Sequence, residues 1–94
     1  MKRPLRLPAK YSTLSPHQRR MVREEYVRRQ NGRCYYCGIL LSETPQHERK
    51  LSRGLFPPNF FTHPIHLHHH HDTDLTIGAV HCECNAILWQ YHGE

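Results

Sequence analysis

Cysteine and histidine are the residues whose types and spacing in this sequence could do chemistry. Cys34 and Cys37 stand two residues apart, and Gly38 follows them. A tight turn with this spacing places both sulphur atoms about 2.3 Å from one tetrahedral Zn²⁺, and glycine tolerates the positive φ that the turn requires. Because thioredoxin-like redox sites share the C-x-x-C pattern, a second pair of ligands has to decide between the two interpretations.

The second pair of candidate ligands lies in the segment 81–84, which reads His-Cys-Glu-Cys. His81 and Cys84 repeat the separation of the first pair, whereas only one residue separates Cys82 from Cys84. The spacing therefore predicts one zinc site with three cysteines and one histidine: Cys34, Cys37, His81 and Cys84. Cys82 is predicted to be a free thiol. The alternative is that the cysteines are merely small core residues.

Four consecutive histidines, His68 to His71, form the second candidate site. Side chains alternate along a strand, so His69 and His71 are expected on one face and His68 and His70 on the other, up to the point where the strand bends at its end. An imidazole with an ordinary pKa of ~6.5 can bind a metal ion or accept a proton near neutral pH. The alternative is a histidine cluster on a solvated edge without a function.

A helix should precede the first cysteine pair. Ser15 is a typical N-cap residue, Pro16 suits the first helical position, and Gln18 completes a capping box with Ser15. The dipeptide Asn31-Gly32 supplies a left-handed stop. The sequence therefore predicts a helix within residues 15–31, followed by the zinc-binding turn.

A hairpin and a second helix should surround the second ligand pair. The segments 65–70 and 75–80 have a β-like pattern and flank the turn Asp72-Thr73-Asp74, which predicts an antiparallel hairpin. Residues 85–92 then read as a short helix. Hairpin and helix together make a ββα unit over residues 65–92 that zinc would clamp.

The connection between the two ligand pairs is harder to assign. Residues 42–64 contain four prolines and three phenylalanines. This composition predicts an irregular connection whose aromatic side chains pack onto a small core. The connection exceeds the usual length of an unstructured loop, which favours a functional loop or further structure within it.

Length and composition limit what the chain can be. It has 94 residues, of which 37% are hydrophobic, and a mean hydropathy of −0.77. One domain with a thin core is expected, and a bound metal would supply stability that packing lacks. No apolar run approaches the ~18 residues of a membrane span, and the start of the sequence lacks the apolar core of a secretory signal. A soluble cytoplasmic protein with reduced cysteines is therefore expected.

Positive charge is concentrated in the first third of the sequence. Residues 1–33 contain ten Lys or Arg against two Glu, whereas the remainder contains three basic and six acidic residues. Basic side chains release counterions when they meet phosphates, so a nucleic acid is the expected partner, with a solubilising surface as the alternative. Residues 1–14 are predicted to be a basic, extended and weakly ordered arm. The basic residues expected to contact DNA are Lys2, Arg3, Arg6, Lys10, Arg19, Arg20 and Arg23.

The order of these residues is similar to that of a known enzyme family. The pattern resembles that of the HNH, or ββα-metal, endonucleases. It consists of Cys34-x-x-Cys37, the run 68–74 with Gly78, His81-x-x-Cys84 and the adjoining Asn85. The resemblance is strongest to the phage recombination endonuclease VII branch and covers roughly residues 34–92. It implies a small α+β fold, namely a zinc-stapled, treble-clef-like ββα-metal domain over residues 15–94 that begins with the basic helix.

The resemblance implies a metal-dependent DNA endonuclease. Carried over by position, His69 is the general base, His68 and Asn85 bind the catalytic divalent ion, and His71 contacts that ion or the scissile phosphate. His92 lies two helical turns after Asn85 and would reach the same phosphate. Hydrolysis by a water that His69 deprotonates would leave 5′-phosphate and 3′-hydroxyl ends.

The sequence departs from the family pattern at three positions. His68 replaces an Asp, which should favour Mn²⁺, Co²⁺, Ni²⁺ or Zn²⁺ over Mg²⁺ as the catalytic ion. His81 replaces a zinc-binding Cys, and Asp74 replaces a turn glycine, where Asp can still adopt a left-handed conformation. The replacements at positions 81 and 74 are compatible with zinc binding and with the turn.

Two other functions fit the same residues. One is a noncatalytic, zinc-stabilised DNA-binding accessory protein, which the replacement at His68 favours. The other is metal buffering by the histidines. The resemblance implies that the endonuclease or the accessory protein is a phage or prophage protein that acts in the cytoplasm of its bacterial host. The oligomeric state stays open, and a dimer is compatible with the pattern.

Overall fold

The computed structural model describes residues 6–46 and 51–92. Two helices and one two-stranded sheet make up its regular structure, which confirms a small α+β fold. In chain order these elements are α1 (Pro16–Arg29), β1 (Ile65–His69), β2 (Thr76–His81) and α2 (Cys82–His92). Within the described ranges, no helix is both long enough and apolar enough to cross a bilayer.

Helix α1 begins and ends as its sequence predicts. The Ser15 hydroxyl accepts a hydrogen bond from the Gln18 backbone at 3.2 Å, and the Gln18 side chain accepts one from the Ser15 backbone at 2.8 Å. Asn31 and Gly32 adopt φ values of 56° and 73° after the helix. The two left-handed residues turn the chain away from the helix axis towards the first cysteine pair.

Strands β1 and β2 form the expected antiparallel hairpin. Ile65 pairs with His81 and His68 with Gly78, and the register is irregular between His68 and His69. Asp74 closes the turn with φ of 62°, which confirms that an Asp can occupy this left-handed position. The irregularity matters for the site, because strict alternation of side chains stops at His68.

Helix α2 begins three residues earlier than the sequence indicates. The prediction was a helix over residues 85–92, but the helix follows β2 directly at Cys82. The Cys82 backbone N–H donates to the Pro64 carbonyl at 2.8 Å, so even the first orphan donor of the helix has a partner. Consequently Asn85 lies inside the first turns of α2 and does not start it.

Gln30 fastens the end of α1 to the sheet. Its amide nitrogen donates to the Ala79 carbonyl and its amide oxygen accepts from the Ala79 backbone N–H, both at 2.9 Å. The Tyr35 backbone N–H donates to the same carbonyl at 2.9 Å. The small core lies beneath these contacts and consists of buried side chains from both ligand segments and β2: Cys34, Leu41, Ala79, Val80 and Cys84.

The arm before α1 is attached to the hairpin from Ala9 onward, which corrects the expectation of weak order. The Thr76 backbone donates to the Ala9 carbonyl at 2.9 Å, and the Tyr11 backbone donates to Asp74 at 2.8 Å. Residues 11–13 form one 3₁₀ turn and are not extended. Backbone pairing with the turn between the strands, a contact that charge patterning does not reveal, holds this segment.

The described parts of the connection, residues 42–46 and 51–64, are irregular apart from the 3₁₀ turns Arg53–Leu55 and Pro58–Phe61. Its phenylalanines pack against one another and against Trp89 of α2. The ring centroids of Phe56 and Trp89 lie 5.3 Å apart, and those of Phe56 and Phe60 lie 4.7 Å apart. The connection therefore covers part of α2 with aromatic side chains.

Candidate metal centre and histidine cleft

The four predicted zinc ligands come together in one cluster. Their ligand atoms all lie within 4.8 Å of one another. His81 Nδ1 is 3.5 Å from the sulphur atoms of Cys37 and Cys84. Bonds of ~2.3 Å to sulphur and ~2.05 Å to nitrogen at a tetrahedral angle separate the two atoms by about 3.6 Å. The cluster thus fits a structural metal such as zinc, held by Cys34, Cys37, His81 and Cys84.

A hydrogen bond from its second ring nitrogen orients His81 for metal binding. Nε2 donates to the Leu40 carbonyl at 2.9 Å, which leaves the Nδ1 lone pair directed at the three thiols. The side chain is 2% exposed. Burial and this hydrogen bond fix both the ring orientation and the tautomer that a metal ion requires.

Cys34 is the most acidic thiol of the cluster. The Cys84 thiol donates to its sulphur and holds the pKa of Cys34 at about 4, and backbone N–H groups of residues 36, 37 and 81 act in the same direction. The same contact with Cys34, together with burial, raises the pKa of Cys84. A metal ion would replace the shared proton, as happens when thiolates bind zinc.

Cys82 lies outside the cluster, as the spacing predicts. Its thiol donates to the Glu83 carboxylate at 2.6 Å. Burial raises the pKa of Cys82 to about 12, and Glu83 adds to the effect. Such a thiol is a poor nucleophile and a poor metal ligand at neutral pH.

A cleft of about 600 Å³ runs along β1, beside the metal cluster. One set of its lining residues is called the histidine side and consists of His66, His68, His69, His71 and Asn85. The cleft also carries the guanidinium groups of Arg19 and Arg23, and none of its described lining residues is acidic. It is therefore a basic, nitrogen-rich site with access from solvent.

His68 and His69 line the same cleft, although the sequence analysis placed them on opposite faces. The irregular pairing between them explains the difference, because the strand bends at this point. The expected neighbourhood of His69 and His71 is observed, with ring centroids 5.1 Å apart. His68 is only 4% exposed.

His66 is a cleft residue that the sequence analysis missed. The Asn85 amide nitrogen lies 3.1 Å from His66 Nδ1. The sequence signal was available, since His66 and His68 are two residues apart on one strand and share a face. The family pattern starts at position 68 and therefore does not include His66.

His69 is packed between an aromatic ring and its neighbouring histidine. The Tyr11 ring stacks on it with centroids 3.8 Å apart and planes 5° from parallel. The Arg19 guanidinium lies over the Tyr11 ring of this stack, 4.2 Å from the ring centroid. Burial lowers the pKa of His69 from 6.5, and the charge of His71 adds to the effect. His69 is therefore mostly neutral at pH 7.

The residues expected to bind DNA occupy different environments. Arg19 and Arg23 line the cleft. Arg20 is exposed and lies 3.2 Å from Glu24, with which it forms an ion pair. The exposed residues Arg6 and Lys10 lie on the anchored arm, and Lys10 pairs with Leu75 through its backbone. The predicted contacts Lys2 and Arg3 lie outside the described residues.

The second predicted metal site has fewer ligands than the first. Apart from the metal cluster, residues 6–46 and 51–91 contain no group of three or more His, Cys, Asp or Glu side chains that could hold a metal ion. His68 and Asn85 share the cleft as expected, but Asn85 contacts His66. The side chain of His92, for which a phosphate contact was predicted, lies outside the described part of the chain.

Comparison with known proteins does not identify a relative. No protein-family model matches the sequence, and searches of curated proteins and of solved structures also find no match. The metal cluster and the cleft are therefore the basis for the proposed function.

Proposed function

We propose that this protein is a metal-dependent DNA endonuclease of the ββα-metal type. One observation carries the proposal: the candidate base His69, the candidate ligands His68 and Asn85, and two arginines all line a single cleft. The adjoining Cys3His cluster joins the hairpin to α2 and so fixes the frame on which these groups are mounted. Preorganised groups of this kind are what phosphodiester hydrolysis requires.

His68 and Asn85 would hold the catalytic divalent ion. The Asn85 amide nitrogen is engaged by His66, so the amide oxygen is available as a ligand, and His66 acts as a positioning residue. A cation bound there would stabilise the negative charge that develops on the phosphate during hydrolysis. The imidazole ligand suits Mn²⁺, Co²⁺ or Ni²⁺ better than Mg²⁺, which prefers oxygen ligands.

His69 would accept the proton of the attacking water. The Tyr11 stack limits its ring to one orientation, and its lowered pKa leaves the ring nitrogen free to accept a proton at neutral pH. His71 lies beside it and would contact the scissile phosphate. These assignments rest on the cleft geometry together with the family resemblance.

Arg19 and Arg23 would bind the DNA backbone next to the scissile bond. Arg19 Nε is buried without a hydrogen-bond partner among the described residues, so the cleft carries positive charge that is not neutralised within it. Phosphate is the group that satisfies such a guanidinium best. Contacts of this type position the duplex and do not read its sequence.

The test is cleavage of supercoiled plasmid in the presence of Mn²⁺ or Ni²⁺. His69→Ala should lower the cleavage rate by about 10²- to 10⁴-fold, because it removes the general base. The matched control is His70→Ala, since the neighbouring His70 is exposed and does not line the cleft. Zinc content should be unchanged in both variants. His70→Ala should keep the melting temperature, whereas His69→Ala should lower it by a few degrees because the stack with Tyr11 is lost. Cleavage by His69→Ala at the normal rate would disprove the base assignment.

One observation favours a noncatalytic DNA-binding protein as the second candidate. The described residues of the cleft include no carboxylate, whereas hard divalent ions are usually held by at least one. Such a protein would retard DNA on a gel at low salt without breaking it, in every divalent ion tested. Retardation that depends on Arg19 and Arg23, with intact plasmid throughout, would establish this alternative.

A further inference from the structure

The cleft has a second side that the proposed chemistry does not use. Phe56, Phe60 and Trp89 line it together, and we call them the aromatic side. Trp89 is 48% exposed, and the neighbouring Leu55 is 58% exposed. Large aromatic and aliphatic groups that remain half-exposed beside charged residues commonly form a binding surface. The aromatic side is therefore a candidate binding surface and not only part of the core.

The histidine and aromatic sides are in direct contact. The Phe60 ring meets the His66 ring edge-on, with centroids 4.8 Å apart. Asn85 and Trp89 are four residues apart on α2 and so face the same direction, about 6 Å apart along the axis. A phosphate beside Asn85 would therefore have the base of the same nucleotide close to Trp89.

The aromatic side is held in a fixed position. The Ser52 backbone N–H donates to the Gln90 side chain at 3.0 Å, which attaches the connection to α2 next to Trp89. The Phe56 ring packs edge-on against Trp89, at 68° between the planes. Arg53 places its guanidinium 4.6 Å from the centroid of Phe61, whose ring packs against Phe56 and Phe60. A rigid aromatic platform with nearby positive charge is the typical binding surface for bases of a single strand.

We infer that the aromatic side binds an unpaired base of the DNA strand, by stacking on Trp89, while the adjoining phosphate lies against the histidine side. The inference rests on the proposed function and specifies its substrate, namely DNA with at least one unpaired nucleotide at the cleft. A base within a continuous duplex stays stacked on its neighbours and cannot reach Trp89 without leaving the helix. Single strands, flaps, gaps and the locally unpaired sites of a negatively supercoiled plasmid meet this requirement, whereas a relaxed intact duplex does not.

Trp89 is also the probe, because it is the only tryptophan of the chain. The experiment titrates the His69→Ala protein, in its zinc-loaded form, with a short labelled single strand. A second strand of equal length carries abasic sugars in place of bases, and a duplex of the same sequence is the third ligand. Label anisotropy reports binding, and Trp89 emission reports stacking.

The single strand should quench Trp89 and bind about 5- to 100-fold more tightly than the abasic strand. Trp89→Ala should remove this preference and leave the affinity for the abasic strand unchanged, while Trp89→Phe should retain most of it. Equal affinities for both strands with unchanged emission would overturn the inference and leave the proposed function intact. Absence of binding by every ligand would instead overturn the proposed function, and the inference with it.

Discussion

The metal cluster and the histidine cleft share one hairpin and one helix, yet they are built in opposite ways. The cluster is closed: its four ligands lie within 4.8 Å of one another, and Cys84 and His81 are almost completely buried. The cleft is open to solvent, and His69 and His71 are more exposed in it than His68, which is 4% exposed. A closed four-ligand site stabilises the fold, whereas an open one leaves positions for a substrate.

The adjacency of Cys84 and Asn85 connects the two sites. Cys84 belongs to the cluster and Asn85 to the cleft, and both lie in the first turns of α2. A metal ion on Cys84 would therefore fix the position of Asn85 without contacting any ligand of the cleft. The comparison shows that neighbouring residues of one helix belong to two different sites, one a closed cluster and the other an open cleft.

Removal of the metal should have the largest effect. Structural zinc contributes about 10–16 kcal/mol in small zinc-binding domains, more than a thin core supplies. A strong chelator, or Cys84→Ser, should therefore unfold the domain, which loss of the far-UV circular dichroism signal would show. Cys82→Ser is the matched control and should keep the metal and the fold. A chelated protein that retained its native spectrum would show that the cluster is dispensable.

Gly78→Ala should weaken the scaffold without changing the chemistry of either site. An added Cβ would lie 2.8 Å from the Gln30 amide oxygen and 3.0 Å from the Tyr35 side chain. We expect a loss of about 1–3 kcal/mol, which is typical of overpacking. Denaturant unfolding measures it. Gly54→Ala has open space around its Cβ and serves as the control. Equal stabilities of the two variants would contradict the tight contact.

Tyr11→Ala should reduce cleavage and leave the cluster unaffected. The stack with His69 is worth about 0.5–1.5 kcal/mol, so the rate should fall roughly two- to tenfold. Tyr11→Phe keeps the ring and should cleave at the normal rate. The zinc content of both variants should equal that of the native protein. A matched loss in Tyr11→Phe would mean that the hydroxyl, and not the stack, is required.

The pH dependence of cleavage tests whether His69 is the general base. A general base works in its neutral form, so the rate should rise with pH and level off above the lowered pKa of His69, below the ordinary 6.5. Tyr11→Ala exposes the ring to water and should move this acidic limb towards higher pH. Rate profiles of the two proteins in one divalent ion measure the shift. Coinciding profiles would argue against His69 as the titrating base.

Local signals in the sequence predicted the elements and the metal cluster. The capping box at Ser15 and the left-handed residues at positions 31, 32 and 74 depend on a few neighbouring atoms, and all are observed. The matched spacing of the cysteines and His81 selected the four ligands, because a tetrahedral ion tolerates few separations. The start of α2 was wrong, since continuity with β2 at Cys82 is not a local signal.

What the sequence by itself determined is the set of groups that tight turns, caps and strand alternation place next to one another. Only the tertiary structure brought His66 to Asn85, Tyr11 to His69 and the aromatic side to the cleft. These partners are far apart along the chain. Their proximity follows from how the arm, the hairpin and α2 pack together, which no pattern within one segment specifies.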